Sequence, residues 1–192
     1  MDHQDHVALL RQGVPGPGGV WADLGAGDGA FTLALAELIG SAGPQATGPT
    51  GTVYAVDRDA DRLRRLRENM AHRFPAVTLH TLTGDFTHPL ALPPLDGVVM
   101  ANSLHFVRDK GPVLAQVRAI LKPGGRLLVV EYNTDHGNTW VPYPVSYGVW
   151  VKLSAAAGFV HTERIATQPS RFLGEFFAAL SLTPTAASES SP

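Results

Sequence analysis

The chain has 192 residues, 44% of them hydrophobic, which is enough for one domain with a sizeable core on a prior of roughly 100–200 residues per domain. Its formal charge of −2 gives no overall basic field of the kind that draws a protein to nucleic acid, and the absence of cysteine excludes disulfides and thiolate chemistry. The start, Met1-Asp2-His3-Gln4-Asp5-His6, lacks the basic and apolar parts of a signal peptide, and no apolar run reaches the roughly 18 residues of a membrane span, so a soluble cytoplasmic protein is expected.

Residues 1–19 read as a short lead-in segment, with a helix around Val7 to Arg11 that the run Gly13-Val14-Pro15-Gly16-Pro17-Gly18-Gly19 cannot continue. His3, Asp5 and His6 are metal-ligand types, but a mobile terminus lacks the surroundings that orient ligands, and no metal is expected. Val20 to Leu24 then forms a short apolar strand, followed by Gly25, Gly27 and Gly29 at alternate positions and a helical pattern. Such glycines admit positive φ and leave no Cβ in the way of a ligand, while the helix start adds unpaired N–H groups. A cofactor is expected here. The spacing is not the Gly-x-Gly-x-x-Gly of a nicotinamide site, and Asp23 and Asp28 are poor neighbours for a pyrophosphate but suit a ligand with positive charge.

Asp23-Leu24-Gly25-Ala26-Gly27-Asp28-Gly29 resembles the first motif of the class I S-adenosylmethionine-dependent methyltransferases, whose ligand carries a sulfonium and an ammonium group. The resemblance implies that Asp23, Gly25, Ala26, Gly27 and Gly29 hold that cofactor. Phe31, Leu35, Leu38 and Ile39 make the apolar stripe of the following helix, which Gly40 ends. Gly40 to Gly51 reads as a solvated, mobile loop. Thr52 to Asp57 is a second strand ending in an acid, and a carboxylate there can accept both ribose hydroxyls. Asp57, with Arg58 beside it, is assigned to the nucleoside.

Asp59 caps a helix with Leu63, Leu66 and Met70 on one stripe. Its arginines, from Arg58 to Arg73, are interspersed with Asp59, Asp61 and Glu68 and lack an aromatic stacking series, so a solvated face is favoured over RNA contact. Val77 to Leu82 is a third strand, and the following Asp85-Phe86 resembles the family's adenine motif, with an acid for the amino group and a flat neighbour for the ring. After a fourth strand, Leu95 to Ala101, the run Asn102-Ser103-Leu104-His105 resembles the motif that reaches the methionyl end and the methyl group. Asn102 and Ser103 are therefore assigned to the cofactor. His105 is assigned as a catalytic base, against the alternative of a hydrogen-bonded structural residue.

Val113, Leu114, Val117, Ile120 and Leu121 form a further helix, stopped by Lys122-Pro123-Gly124-Gly125, before a fifth strand from Arg126 to Tyr132. This unit too resembles the family. Trp140, Pro142, Tyr143, Pro144, Tyr147 and Trp150 read either as a pocket wall or as a satellite core. A helix from Ser146 to Ala157 leads to two strands, Phe159 to Ala166 and Arg171 to Leu182, joined near Pro169 and necessarily antiparallel. The tail, 183–192, reads as disordered.

The resemblance implies an α/β fold: a doubly wound, mostly parallel seven-stranded sheet with helices on both faces and an antiparallel terminal hairpin, spanning residues 20–182. It implies S-adenosylmethionine as cofactor, S-adenosylhomocysteine as product, and methyl transfer to an oxygen, nitrogen or carbon of the acceptor. The rivals are a nicotinamide oxidoreductase and a cofactor-binding protein without turnover. A small-molecule acceptor is expected over RNA or protein, because the chain has little beyond the cofactor domain and Asn102-Ser103-Leu104-His105 replaces the family's base-methylating Asn-Pro-Pro-aromatic run. The acceptor pocket would then be built by the first residues, the His105 loop and the aromatic cluster from Trp140 to Trp150, with the lead-in helix as a lid.

Overall fold

The computed structural model describes residues 1–40 and 50–185. Seven strands form one sheet in the order β3-β2-β1-β4-β5-β7-β6. The strands are β1 (Val20–Leu24), β2 (Gly51–Asp57), β3 (Val77–Thr83), β4 (Leu95–Ala101), β5 (Leu121–Tyr132), β6 (His161–Ser170) and β7 (Gly174–Leu182). β1 to β5 are parallel to their neighbours in this set, and β7 runs antiparallel to both β5 and β6. The expected doubly wound sheet with a terminal hairpin is present.

Alternation along the strands explains the layers. Trp21, Val53, Val99 and Leu128 face one core with α1 (His3–Arg11), α2 (Ala30–Gly40) and α3 (Ala60–Arg73). Ala22, Val56, Val98 and Leu127 face the other, with α4 (Gly111–Ile120) and α5 (Tyr147–Ala156). β1 leads to β2 on one side of the sheet, whereas β4 pairs on its other side, so the strand order reverses between β1 and β4. Ligands of open α/β sheets bind in the crevice beyond the carboxyl ends of the strands at such a point.

Local signals set the ends of elements. The Asp59 carboxylate accepts from the Asp61 and Arg62 N–H groups at the start of α3, and the Ser146 hydroxyl accepts from Val149 N–H at the start of α5. The chain's start departs from expectation. α1 begins at His3, with a reciprocal capping box between Asp2 and Asp5. Val7, Leu9 and Leu10 are buried, Nε2 of His3 lies 2.8 Å from Glu37, and Gln168 of β6 donates to Asp5. This segment is therefore anchored, neither a mobile terminus nor a lid.

Two boundaries shift. The hairpin turns at 171–173 and not at Pro169, which lies within β6. β6 is the outer strand of the sheet, where a residue without an N–H is tolerated. Thr183 is not part of a disordered tail, since its buried hydroxyl donates to the Lys122 carbonyl at 2.7 Å and accepts from Gly125 N–H at 2.8 Å. The mobile loop read over Gly40 to Gly51 and the rest of the tail fall largely in 41–49 and 186–192, outside the described residues.

Gly97 of β4 is buried where any Cβ would run into the Trp21 ring, so the indole occupies the space of the absent side chain. Gly97→Ala is expected to destabilise the fold by about 1–3 kcal/mol through overpacking. Urea unfolding checks this: a midpoint equal to that of the parent chain would contradict the packing argument.

Candidate functional site

A cavity of about 450 Å³ opens beyond the ends of β1, β2 and β4. Its floor is the turn after β1. Gly25 and Gly27 take φ of 83° and 54°, and the N–H groups of Gly25 and Ala26 donate to the Val56 carbonyl at 2.9 and 3.0 Å. Gly27 N–H donates to the Asp57 carboxylate at 2.7 Å. A Cβ on Gly25 would lie 2.5 Å from Cβ of Ser103 and 3.2 Å from the Phe86 ring, so the glycine also lets the β4 loop close over the turn. The other Asp57 oxygen accepts from Asp59 N–H at 2.9 Å. A carboxylate oxygen can accept twice, so both retain capacity for a ligand.

Asp23, at the end of β1, is 2% exposed and accepts the Thr32 hydroxyl at 2.6 Å. Burial pushes its carboxyl up to about 6, the Thr32 hydrogen bond opposes this, and the nearby Asp57 charge adds to it. Asn102 takes a φ of 53°, rare for a non-glycine residue, and its Oδ1 is buried with no hydrogen-bond partner among the described residues. A buried acceptor left alone is costly, and this one belongs to a residue lining the cavity. Ser103 also lines it, its hydroxyl donating to the Leu24 carbonyl at 2.8 Å.

The assigned residues thus converge in part. Asp23, Gly25, Ala26, Gly27, Asp57, Arg58, Phe86, Asn102 and Ser103 all line the cavity. Gly29 does not: its φ of 85° and its missing Cβ accommodate Leu66, so it is a packing position for α3. Nor does Asp85, whose carboxylate is held by the Arg58 guanidinium at 2.6 Å and by the hydroxyl and N–H of Thr87. Burial works to raise the Asp85 carboxyl, but these hydrogen bonds outweigh it and hold the group well below the usual carboxylate range. The cavity wall there is Gly84, Phe86 and Thr87.

His105 is likewise outside the lining. It is 3% exposed, and its Nδ1 donates to the carboxylate of Glu131 at 2.6 Å. Glu131 is fully buried at the end of β5 and also accepts from the N–H groups of Leu104 and His105. It thereby fixes the short 3₁₀ turn Leu104–Phe106, which brings Phe106 to the cavity. The aromatic cluster does not form the wall: Trp150 is in the core under α5, whereas Trp140 is 74% exposed and Tyr143 lies beneath Arg108. Of the α3 arginines, Arg64 pairs with Asp61 and Arg65 with Asp28, both at 2.8 Å, while Arg67 donates to the Thr81 hydroxyl and Arg73 lies over the Phe74 ring.

Lining residues outside the motifs include His6, Phe31, Arg62, Thr87 and Phe106. Phe31 and Arg62 were legible only as members of helices, whereas His6 belongs to the first residues expected to build the pocket, without a motif that singles it out. No group of three or more His, Cys, Asp or Glu side chains able to hold a metal occurs among the described residues. None of the described helices is long and apolar enough to cross a membrane.

Comparison with known proteins follows the same lines. Residues 22–127 match the family described as "Methyltransferase domain". The ubiquinone/menaquinone biosynthesis C-methyltransferase UbiE of Burkholderia mallei is 32% identical over 134 residues, covering 70% of this chain and 50% of that protein. The chain spans about half the length of the curated relatives it matches. A SAM-dependent methyltransferase from Aquifex aeolicus superposes with a TM-score of 0.70 at 18% identity, covering 93% of this chain and 89% of the other. The YcgJ protein from Bacillus subtilis gives 0.72 at 12% identity, covering 96% and 100%. These two likenesses show the fold.

Asp23 yields a prediction with a definite sign. Its carboxyl titrates at about 6 in the fold against an ordinary 3.8, so between these values the folded chain holds a proton that the unfolded chain has lost. Its contribution to stability therefore falls as pH rises through this window, by about 3 kcal/mol in all. Asp23→Asn, which keeps an acceptor for Thr32, is expected to be the more stable form at about pH 8 and to lose that advantage near pH 4. Urea unfolding across the range tests it; a difference between the two proteins that does not vary with pH would sink the argument.

Proposed function

The chain belongs to the methyltransferase-domain family, and from that premise we propose that it transfers the methyl group of S-adenosylmethionine to a nucleophilic atom of a small molecule. The observation that carries this reading is the acceptor-rich cavity over the glycine turn. The carboxylates of Asp23, Asp28 and Asp57 line it together with Asn102, whose buried Oδ1 has no partner among the described residues. Such a site suits a ligand with cationic groups and hydroxyls, and is a poor one for a pyrophosphate.

In this reading Asp57 receives the ribose hydroxyls and Asn102 the amino end of the cofactor. Phe86 packs on the base, and Asp85 acts indirectly by holding Arg58 at the rim. When bound, the cofactor supplies a methyl group on a positively charged sulfur, already activated toward a nucleophile. The chain's main task is then alignment, which supplies up to about 7–11 kcal/mol of a barrier. His105 enters as the general base, and because the structure buries it outside the cavity lining, the role requires Nε2 to become reachable when the acceptor binds. Its Nδ1–H is committed to Glu131, which leaves Nε2 as the basic nitrogen, the arrangement of a base oriented by a buried carboxylate.

A small-molecule acceptor is supported by the pairing of Arg62, Arg64 and Arg65 of α3 with Asp59, Asp61 and Asp28, and by the small-molecule pathway in the name of the UbiE relative. S-adenosylmethionine and S-adenosylhomocysteine are expected to raise the melting temperature while NAD does not, since a ligand that binds only the native state stabilises it. Stabilisation by NAD alone would overturn the cofactor. Labelled methyl transfer into metabolite, RNA and protein extracts tests the acceptor, and incorporation confined to RNA or protein would overturn the small-molecule reading.

The base role makes a separate prediction for the labelled fraction. His105→Gln and Glu131→Gln are each expected to lower turnover about tenfold or more, as is usual for loss of a general base, while leaving affinity for S-adenosylhomocysteine unchanged. Full turnover in a folded His105→Gln chain would leave the pair a purely structural clamp on the 3₁₀ turn.

A further inference from the structure

His6 has no part in the reading above, yet it lines the same cavity. It lies on α1, which packs against α2 and also touches β6 and β7. It therefore approaches from the side of the sheet away from Asp57, which ends β2, and Gly84, which follows the edge strand β3. Its ring sits edge-on to Phe31 with centroids 4.7 Å apart, and neither ring nitrogen is hydrogen-bonded to a described residue. A half-buried imidazole facing a cavity with a donor and an acceptor both unused is arranged for a ligand. Burial lowers its affinity for a proton, so the ring is neutral near pH 7. The titratable and charged groups around it are the N-terminal ammonium, Asp5, His3 and Asp2 on its own segment, and Asp23, Asp28, Asp57, Arg58 and Arg62 on the other cavity walls.

We propose that His6, Phe31 and Phe106 form the acceptor subsite, and that it takes a neutral hydroxylated aromatic molecule whose hydroxyl is hydrogen-bonded by the His6 imidazole. The proposal rests on the methyl-transfer reading and names its acceptor class. Phe31 and Phe106 offer ring surfaces against which a planar molecule packs edge-on or offset. A neutral molecule fits because three carboxylates line the cavity against two guanidiniums, and those of Arg58 and Arg62 are already engaged by Asp85 and Asp59. An acceptor bearing a carboxylate would meet no unpaired guanidinium among the lining residues, and the N-terminal ammonium near His6 lies outside that lining. The neutral imidazole suits a hydroxyl, which both donates and accepts. His6 is thus a recognition residue for the acceptor, distinct in role from the cofactor residues on the β2 side.

The test uses the full chain saturated with S-adenosylhomocysteine and 2,3-dihydroxynaphthalene as a fluorescent probe, with 2-naphthoate as the carboxylate control. Saturable binding of the diol is expected, weakened about tenfold, or 1.4 kcal/mol, by His6→Ala. His6→Gln, whose amide also donates and accepts, is expected to retain part of the affinity. Affinity for S-adenosylhomocysteine, measured by calorimetry, should be unchanged in both variants. Failure of the parent chain to bind S-adenosylhomocysteine would overturn the methyl-transfer reading itself. With that binding intact, an unbound diol, a diol whose affinity ignores His6→Ala, or tighter binding of 2-naphthoate would each overturn the subsite.

Discussion

The hydrogen bond from Gly27 N–H to the Asp57 carboxylate is the contact on which the rest of the site depends. A glycine-rich turn by itself is free to take many shapes, and its entropy cost on ordering is high. Here three successive N–H groups are turned onto the end of β2, two on the Val56 carbonyl and one on Asp57. The turn is thereby tied to a strand whose register with β1 runs to Leu24 opposite Val56. The third strand of the junction closes over it, since the Ser103 hydroxyl after β4 donates to the Leu24 carbonyl. The ends of β1, β2 and β4 are thus held to one another before any ligand arrives, and Asp57 is oriented by the same bond that shapes the turn.

This arrangement concentrates negative charge. Asp23 is buried near Asp57, and its raised carboxyl reports a conflict between burial and ionisation that the fold alone would relieve with a neutral side chain. Such conflicts recur at functional sites, where stability is given up for binding. The arginines nearby do not cancel the charge, because each has its own acid: Arg58 has Asp85, Arg62 has Asp59 and Arg65 has Asp28. Exposed pairs of this kind contribute little to stability, but they keep guanidinium groups committed at the rim.

Order and type of the elements were legible because each strand and helix carries its own period, and the glycine turn was legible because its residue types have a backbone reason. Side-chain direction was not. Asp85 and Thr87 are two residues apart, yet Thr87 reaches the cavity while Asp85 turns to Arg58, a choice made by a partner 27 residues away in sequence. His105 has the residue type of a base, but its orientation depends on Glu131, which no local pattern links to it. Gly29 reads like its neighbours in the motif although its space is filled by Leu66 of α3. The aromatic run from Trp140 to Trp150 has no period, and the structure divides it between core and surface. The start of α1 was missed because its first residues are polar; the capping pair Asp2 and Asp5 was the one available signal.

The anchoring of α1 decides which side of the cavity can vary. Val7, Leu9 and Leu10 are buried against the core that also holds α2, and exposing such side chains costs about 1.5–3 kcal/mol each. Lifting α1 would therefore consume a large part of a domain's usual stability of roughly 5–15 kcal/mol, so His6 and Phe31 form a fixed wall. The opposite wall is built differently. Phe106 is 62% exposed at the end of a single 3₁₀ turn, and what holds that turn is the carboxylate of Glu131 beneath it. The turn's backbone and the His105 imidazole are thus clamped from below while the ring at the tip stays largely in solvent, and any adjustment to an incoming molecule falls to Phe106 while the glycine turn and α1 remain in place.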